Sequence, residues 1–119
     1  MHAVLERQLA ALASGDLEAV MENYTPDATL IRFDQVFVGA QAIRMGLSVY
    51  LALKPRLVTL EEYAEQGDTL LYRAVMNVGG QERPAVGTLV LREGRIWRQT
   101  AAFIGEQPSA GLPAERTRP

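Results

Sequence analysis

Leu12-Ala13-Ser14-Gly15-Asp16-Leu17-Glu18-Ala19-Val20-Met21-Glu22-Asn23-Tyr24-Thr25-Pro26-Asp27-Ala28-Thr29-Leu30 reads as the close of one helix, a hinge, a second helix and the entry to a strand. Gly15 suits the left-handed conformation that ends a helix, and Asp16 offers a carboxylate to the free N–H groups of the next. Pro26 is expected to halt that second helix ahead of an extended Thr29-Leu30-Ile31. Two short helices delivered straight into a strand must pack on a common sheet.

Outward from this stretch, Leu5, Leu9 and Leu12 recur at helical spacing before the hinge, and Leu17, Val20, Met21 and Tyr24 repeat it afterwards. Thr29 to Phe33 and Val36 to Val38 read as short strands, and Ile43, Leu47, Tyr50 and Leu51 mark a third helix ending at Lys54-Pro55. Leu57 to Glu65, Thr69 to Val78, Arg83 to Arg92 and Ile96 to Ile104 then form a meander of strands. Their separators Gln66-Gly67-Asp68, Gly79-Gly80-Gln81-Glu82 and Glu93-Gly94-Arg95 are of hairpin length. The expected class is α+β, with three N-terminal helices on a curved, mostly antiparallel sheet that forms a cone-shaped barrel with a pocket. Residues 1–105 make the single expected domain. Residues 106–119, with Pro108, Gly111, Pro113 and Pro119, are expected to be a disordered tail.

Strand alternation sorts the side chains into two faces. Tyr72, Ala74, Met76, Val78, Ala85, Gly87, Leu89, Leu91, Trp97, Gln99, Ala101 and Phe103 form the expected inward set, under the helices. Leu71, Arg73, Val75, Asn77, Val86, Thr88, Val90, Ile96, Arg98, Thr100 and Ile104 form the outward set. The outward set is apolar enough to predict a homodimer through this face.

With 119 residues the chain buries roughly two-thirds of its unfolded surface as one domain. Twelve basic and 14 acidic residues give a net charge of −2, which argues against nucleic acid and anionic membrane as partners. The absence of cysteine excludes a disulfide, a thiolate nucleophile and a zinc–thiolate site, and one histidine cannot build a His-rich metal site. No metal or cofactor is therefore expected. His2 is expected to fray. No run approaches the ~18 apolar residues of a membrane span and the N-terminus lacks a leader pattern, so the expected location is the cytoplasm.

The Ser14-Gly15-Asp16 hinge, Tyr24, Asp27-Ala28-Thr29, Gly39 with Ile43, and Gly94-Arg95-Ile96 together resemble the nuclear transport factor 2-like superfamily over roughly residues 4 to 106, nearest its SnoaL-like cyclase and steroid Δ-isomerase branch. The resemblance implies a cone of sheet and helices around a mostly apolar pocket. Steroid isomerases of this kind use a carboxylate base with a tyrosine and a neutral aspartic acid as oxyanion donors. The matching positions hold Gln8 for the tyrosine, Arg32 for the base and Gly87 for the aspartic acid; of two accessory tyrosines one matches Tyr24 and the other falls on Leu47. A permanently protonated arginine abstracts no proton from carbon, so that mechanism is not expected.

The candidate ligand-binding residues are Gln8, Tyr24, Arg32, Tyr72, Met76, Gly87, Trp97, Gln99 and Phe103, and the candidates for a catalytic part are Arg32, Asp34 and Tyr24. Each has a plainer alternative. Gln8 on an apolar stripe either faces a wet pocket or reaches solvent; Arg32 is either an anion contact or a rim arginine paired with Asp34 or Glu62. Tyr24, Tyr72 and Trp97 either orient a ligand or pack the core, and Gln99 is an anchor or a core-edge amide. Asp27, just past a helix stop, reads as a turn or cap. The expectation is a small-molecule pocket for an apolar or aromatic metabolite with a polar or anionic end. A cofactor-independent isomerase, cyclase or hydratase, a non-catalytic binding module and a dimeric interaction domain all remain open.

Overall fold

A computed structural model describes residues 1–105; the expected tail lies outside the described residues. Helix α1 (Ala3–Ser14) is closed by Gly15 at φ 74°, whose N–H donates to the Leu12 carbonyl. His2 does not fray: its Nδ1 accepts from the Val4 N–H at 3.1 Å and its own N–H donates to the Tyr63 hydroxyl at 3.0 Å. Asp16 caps the short α2 (Leu17–Met21) by accepting from the Ala19 N–H. The third helix, α3 (Ala40–Leu51), packs against α2, and Arg44 pairs with Glu18 between them.

Six strands, β1 (Tyr24–Ile31), β2 (Val36–Val38), β3 (Arg56–Gln66), β4 (Thr69–Val78), β5 (Gln81–Arg92) and β6 (Arg95–Phe103), form one sheet in the order β2-β1-β6-β5-β4-β3. Every pairing is antiparallel except β1 with β6. Register shifts in β3 and at Val90/Leu91 bend and twist the sheet, as bulges do, so that it curves around the helices. The α+β expectation stands. Among the described residues no helix is long and apolar enough to cross a membrane.

Further expectations need correction. The second helix ends at Met21, and Pro26 lies inside β1 instead of before it. The Ile96 N–H donates to the Asn23 carbonyl at 2.7 Å, which draws Tyr24 into the sheet; Pro26 falls in the irregular stretch between the Tyr24 and Thr29 pairings, where a missing N–H costs no ladder bond. The second correction concerns Ile96 and Trp97. Val90 pairs with Arg98 but Leu91 with Ile96, so Trp97 is the extra residue of a bulge and alternation slips by one position. Ile96 is therefore fully buried with Leu70, Leu89 and Leu91, and Trp97 leaves the inward set.

Candidate functional site

Between the helices and the concave face lies a cavity of about 310 Å³. Strand residues build its wall: Tyr72 and Ala101 flank Gly87 across β4, β5 and β6, with Ala85 and Phe103 to one side and Gln99 and Leu30 to the other. Leu9 and Leu12 of α1 and Leu47 and Tyr50 of α3 close it from the helical side. Most of the lining is apolar, as ligand pockets commonly are.

The polar part is a continuous chain of hydrogen bonds. Gln8, Asn23 and Tyr24 are all buried. The Arg7 Nε donates to Asn23 Oδ1 at 3.3 Å, Asn23 Nδ2 to Gln8 Oε1 at 2.8 Å, Gln8 Nε2 to the Tyr24 hydroxyl at 3.1 Å, and that hydroxyl to Gln99 Oε1. Each link satisfies a buried group that would otherwise be costly to desolvate. Gln8 takes the pocket-facing arrangement of its two alternatives, held by neighbours rather than left to solvent.

At the mouth stand Arg32, Phe33 and Asp34. Arg32 Nε lies 3.2 Å from Asp34 Oδ1, with the Arg32 side chain one-third exposed. The arginine thus lines the cavity while also taking its rim alternative, paired with Asp34. Among the described residues Phe33 is 98% exposed, a large apolar ring at the entrance.

Of the nine expected binding residues, Gln8, Tyr24, Arg32, Tyr72, Met76, Gln99 and Phe103 line this one cavity, as does Asp34. Gly87 lies beneath Tyr72: a Cβ there would stand 2.5 Å from the Tyr72 hydroxyl, so its contribution is room for the tyrosine. Trp97 is placed elsewhere, with the Arg92 and Arg98 guanidiniums over its ring at 5.0 and 4.4 Å from the centroid. Asp27 is neither cap nor turn; it sits in β1, accepting from Thr25 Oγ1 at 3.0 Å and from Arg92 at 2.6 Å, contacts that hold its carboxyl below the usual range. Sequence reasoning missed Tyr50 as a lining residue. Its place after Leu47 on an apolar helical stripe was the available signal, but that stripe reads equally as core.

Burial raises the Tyr24 phenol well above its ordinary value of 10.0, with Tyr72 nearby adding to the rise and the Gln8 and Gln99 hydrogen bonds opposing it. Burial likewise raises Tyr72, and pushes Tyr50 up to about 12, with Tyr72 adding and Arg32 opposing. The cavity is thus furnished with neutral phenols, and the carboxylate on its lining, Asp34, is at the rim beside a cation. Such a site can donate hydrogen bonds to an oxygen, and among the described residues it holds no interior carboxylate base.

These shifts set a pH dependence. A phenol whose pKa is raised by folding contributes its full stability below the unfolded value of 10.0, and that contribution is lost as pH rises through the folded value. The melting temperature should therefore fall steeply above pH 10, with tyrosinate absorbance from the buried phenols appearing together with unfolding. Titration of all four tyrosines near 10 in the folded protein would contradict this arrangement.

The SnoaL-like domain model matches residues 5–99. No curated protein matches the chain. Among solved structures, an NTF2-like protein of unknown function from Cytophaga hutchinsonii superposes with a TM-score of 0.73 at 17% identity, covering 85% of this chain and 87% of its own. A candidate polyketide cyclase from Sinorhizobium meliloti gives 0.73 at 22% identity, covering 85% and 94%. TerC, co-crystallised with polyporic acid, gives 0.73 at 19% identity, covering 85% and 88%. At these identities the structures speak to fold alone. With the family model spanning both the hinge and the cavity strands, the chain belongs to the SnoaL-like domain family and carries the nuclear transport factor 2-like fold.

Proposed function

We propose that this protein binds an apolar or aromatic small molecule bearing an oxygen function, with the molecule's body against Leu9, Leu47, Met76 and Phe103 and its oxygen among Gln99, Tyr50 and Tyr72. The observation that carries the reading is the 310 Å³ cavity, which reaches the ~300 Å³ floor of ligand sites and combines apolar walls with one cluster of neutral hydrogen-bonding groups. That TerC, of the same fold, was co-crystallised with polyporic acid supports a small-molecule site here. Catalysis in this reading is limited to polarising an oxygen, with Asp34 as the nearest carboxylate, and turnover of a steroid by the usual isomerase route is not expected.

Ala101→Trp tests the reading. Ala101 lies on the cavity wall, so the indole fills the space a ligand needs. Thermal-shift stabilisation by aromatic ketones and acids should be present in the parent protein and absent in the variant, with the variant still folded. Equal stabilisation of both would place binding outside the cavity.

A second copy of the chain is the proposed partner for the outer face. Leu71 is 55% exposed there, and Val58 and Ile104 are exposed as well, whereas Ile96 no longer belongs to that face. Leu71→Asp should convert a dimer to a monomer in sedimentation at micromolar concentration, since a buried unpaired carboxylate costs several kcal/mol. A parent protein that sediments as a monomer would reject this interface.

A further inference from the structure

The geometry points to Arg7, outside the cavity, as the residue that decides which way the buried hydrogen-bond chain runs and hence that the cavity recognises an acceptor oxygen, such as a ketone or quinone carbonyl, over a donor. The inference rests on the cavity being a ligand site. The buried chain is degenerate in direction. Asn23, Gln8, Tyr24 and Gln99 can be linked by three hydrogen bonds in either direction, because each amide has both a donor and an acceptor end and the phenol can serve as both. In one direction Asn23 Nδ2 donates to Gln8, Gln8 to Tyr24 and Tyr24 to Gln99 Oε1. In the other, Gln99 donates to Tyr24, Tyr24 to Gln8 and Gln8 to Asn23. The count of bonds is the same.

Arg7 breaks the tie. A guanidinium has five N–H donors and no acceptor, so an Asn23 end in contact with it must be the carbonyl, as observed at 3.3 Å. A second Arg7 donor binds the Gly94 carbonyl at 3.3 Å, which anchors the guanidinium beside Asn23. With Asn23 Oδ1 committed outward, Gln8 must accept from Asn23 and donate to Tyr24, and the Tyr24 hydroxyl spends its one proton on Gln99 Oε1. What remains at the cavity wall is Gln99 Nε2, which has no protein partner among the described residues and can only donate. Arg7 is thus a positioning residue acting on ligand polarity through four side chains.

The test uses two shape-matched tricyclic probes, 9-fluorenone, which only accepts, and carbazole, whose N–H only donates. The parent protein should prefer fluorenone. Arg7→Met restores the degeneracy and should lower the fluorenone-to-carbazole affinity ratio by about tenfold, on the scale of one charge-assisted hydrogen bond. Arg7→Lys, still donor-only, should keep the ratio, and Arg7→Glu, acceptor-only, should invert it. The ligand-free protein supplies a second readout: the Gln99 side-chain amide protons should exchange rapidly in the parent and in Arg7→Lys, and become protected in Arg7→Glu. An unchanged ratio together with unchanged Gln99 exchange across all three variants overturns the inference. If neither probe binds, the reading of the cavity as an aromatic-ligand site fails, and the exchange experiment alone decides the direction of the chain.

Discussion

Ile96→Ala should lower the unfolding free energy by about 2 to 5 kcal/mol, the range for truncating a fully buried aliphatic side chain that leaves a cavity. Ile96 has no exposed surface and packs among Leu70, Leu89, Leu91 and Tyr24, where α1 and the sheet meet. Leu71→Ala, on a side chain 55% exposed, should change the stability of the monomer by no more than about 0.5 kcal/mol. Urea unfolding of the two variants side by side checks the bulge at Trp97 directly. Regular alternation would put Ile96 and Leu71 on one face and give them similar effects; the slipped register separates them.

Gly87→Val should abolish ligand binding and destabilise the fold by about 1 to 3 kcal/mol through overpacking. A Cβ at this position would lie 2.5 Å from the Tyr72 hydroxyl and 2.8 Å from the Thr100 carbonyl oxygen. Tyr72 can swing aside, but the cavity is the space open to it. The Thr100 carbonyl belongs to the neighbouring strand and can move only with its backbone. Loss of thermal stabilisation by fluorenone together with a lower melting temperature is the expected result; full binding at parental stability would show that Tyr72 has another place to go. Here glycine matters for the room it leaves, since its backbone is ordinary strand.

Much of the architecture was legible because it depends on local chemistry. Gly15 and Asp16 end and start helices through hydrogen bonds within a few residues, and both behave as read. The four meander strands are long, periodic and separated by glycine-bearing turns, and all four appear within a few residues of the expected bounds. Where reading failed, a distant partner decided. Tyr24 continues the helical stripe of Val20 and Met21, yet it is in a strand because β6 pairs beside it. Asp27 looked like a cap but meets Arg92, 65 residues away.

The candidate site divides in the same way. Gln8, Tyr24, Tyr72 and Gln99 were visible as polar groups on apolar stripes, an arrangement that physical chemistry tolerates only where partners exist. Nothing in their spacing showed that the partners are one another, that Asn23 and Arg7 extend the chain to the surface, or that Arg32 is held by Asp34 at the mouth. The sequence by itself determined the class of fold, the helix and strand order and the absence of cysteine. Tertiary structure decided which faces are inside at Ile96 and Trp97, which tyrosines converge and which way the buried amides point. Periodicity is a property of neighbours along the chain, whereas a bulge, a cavity and the direction of a hydrogen-bond chain come from segments that meet only after folding.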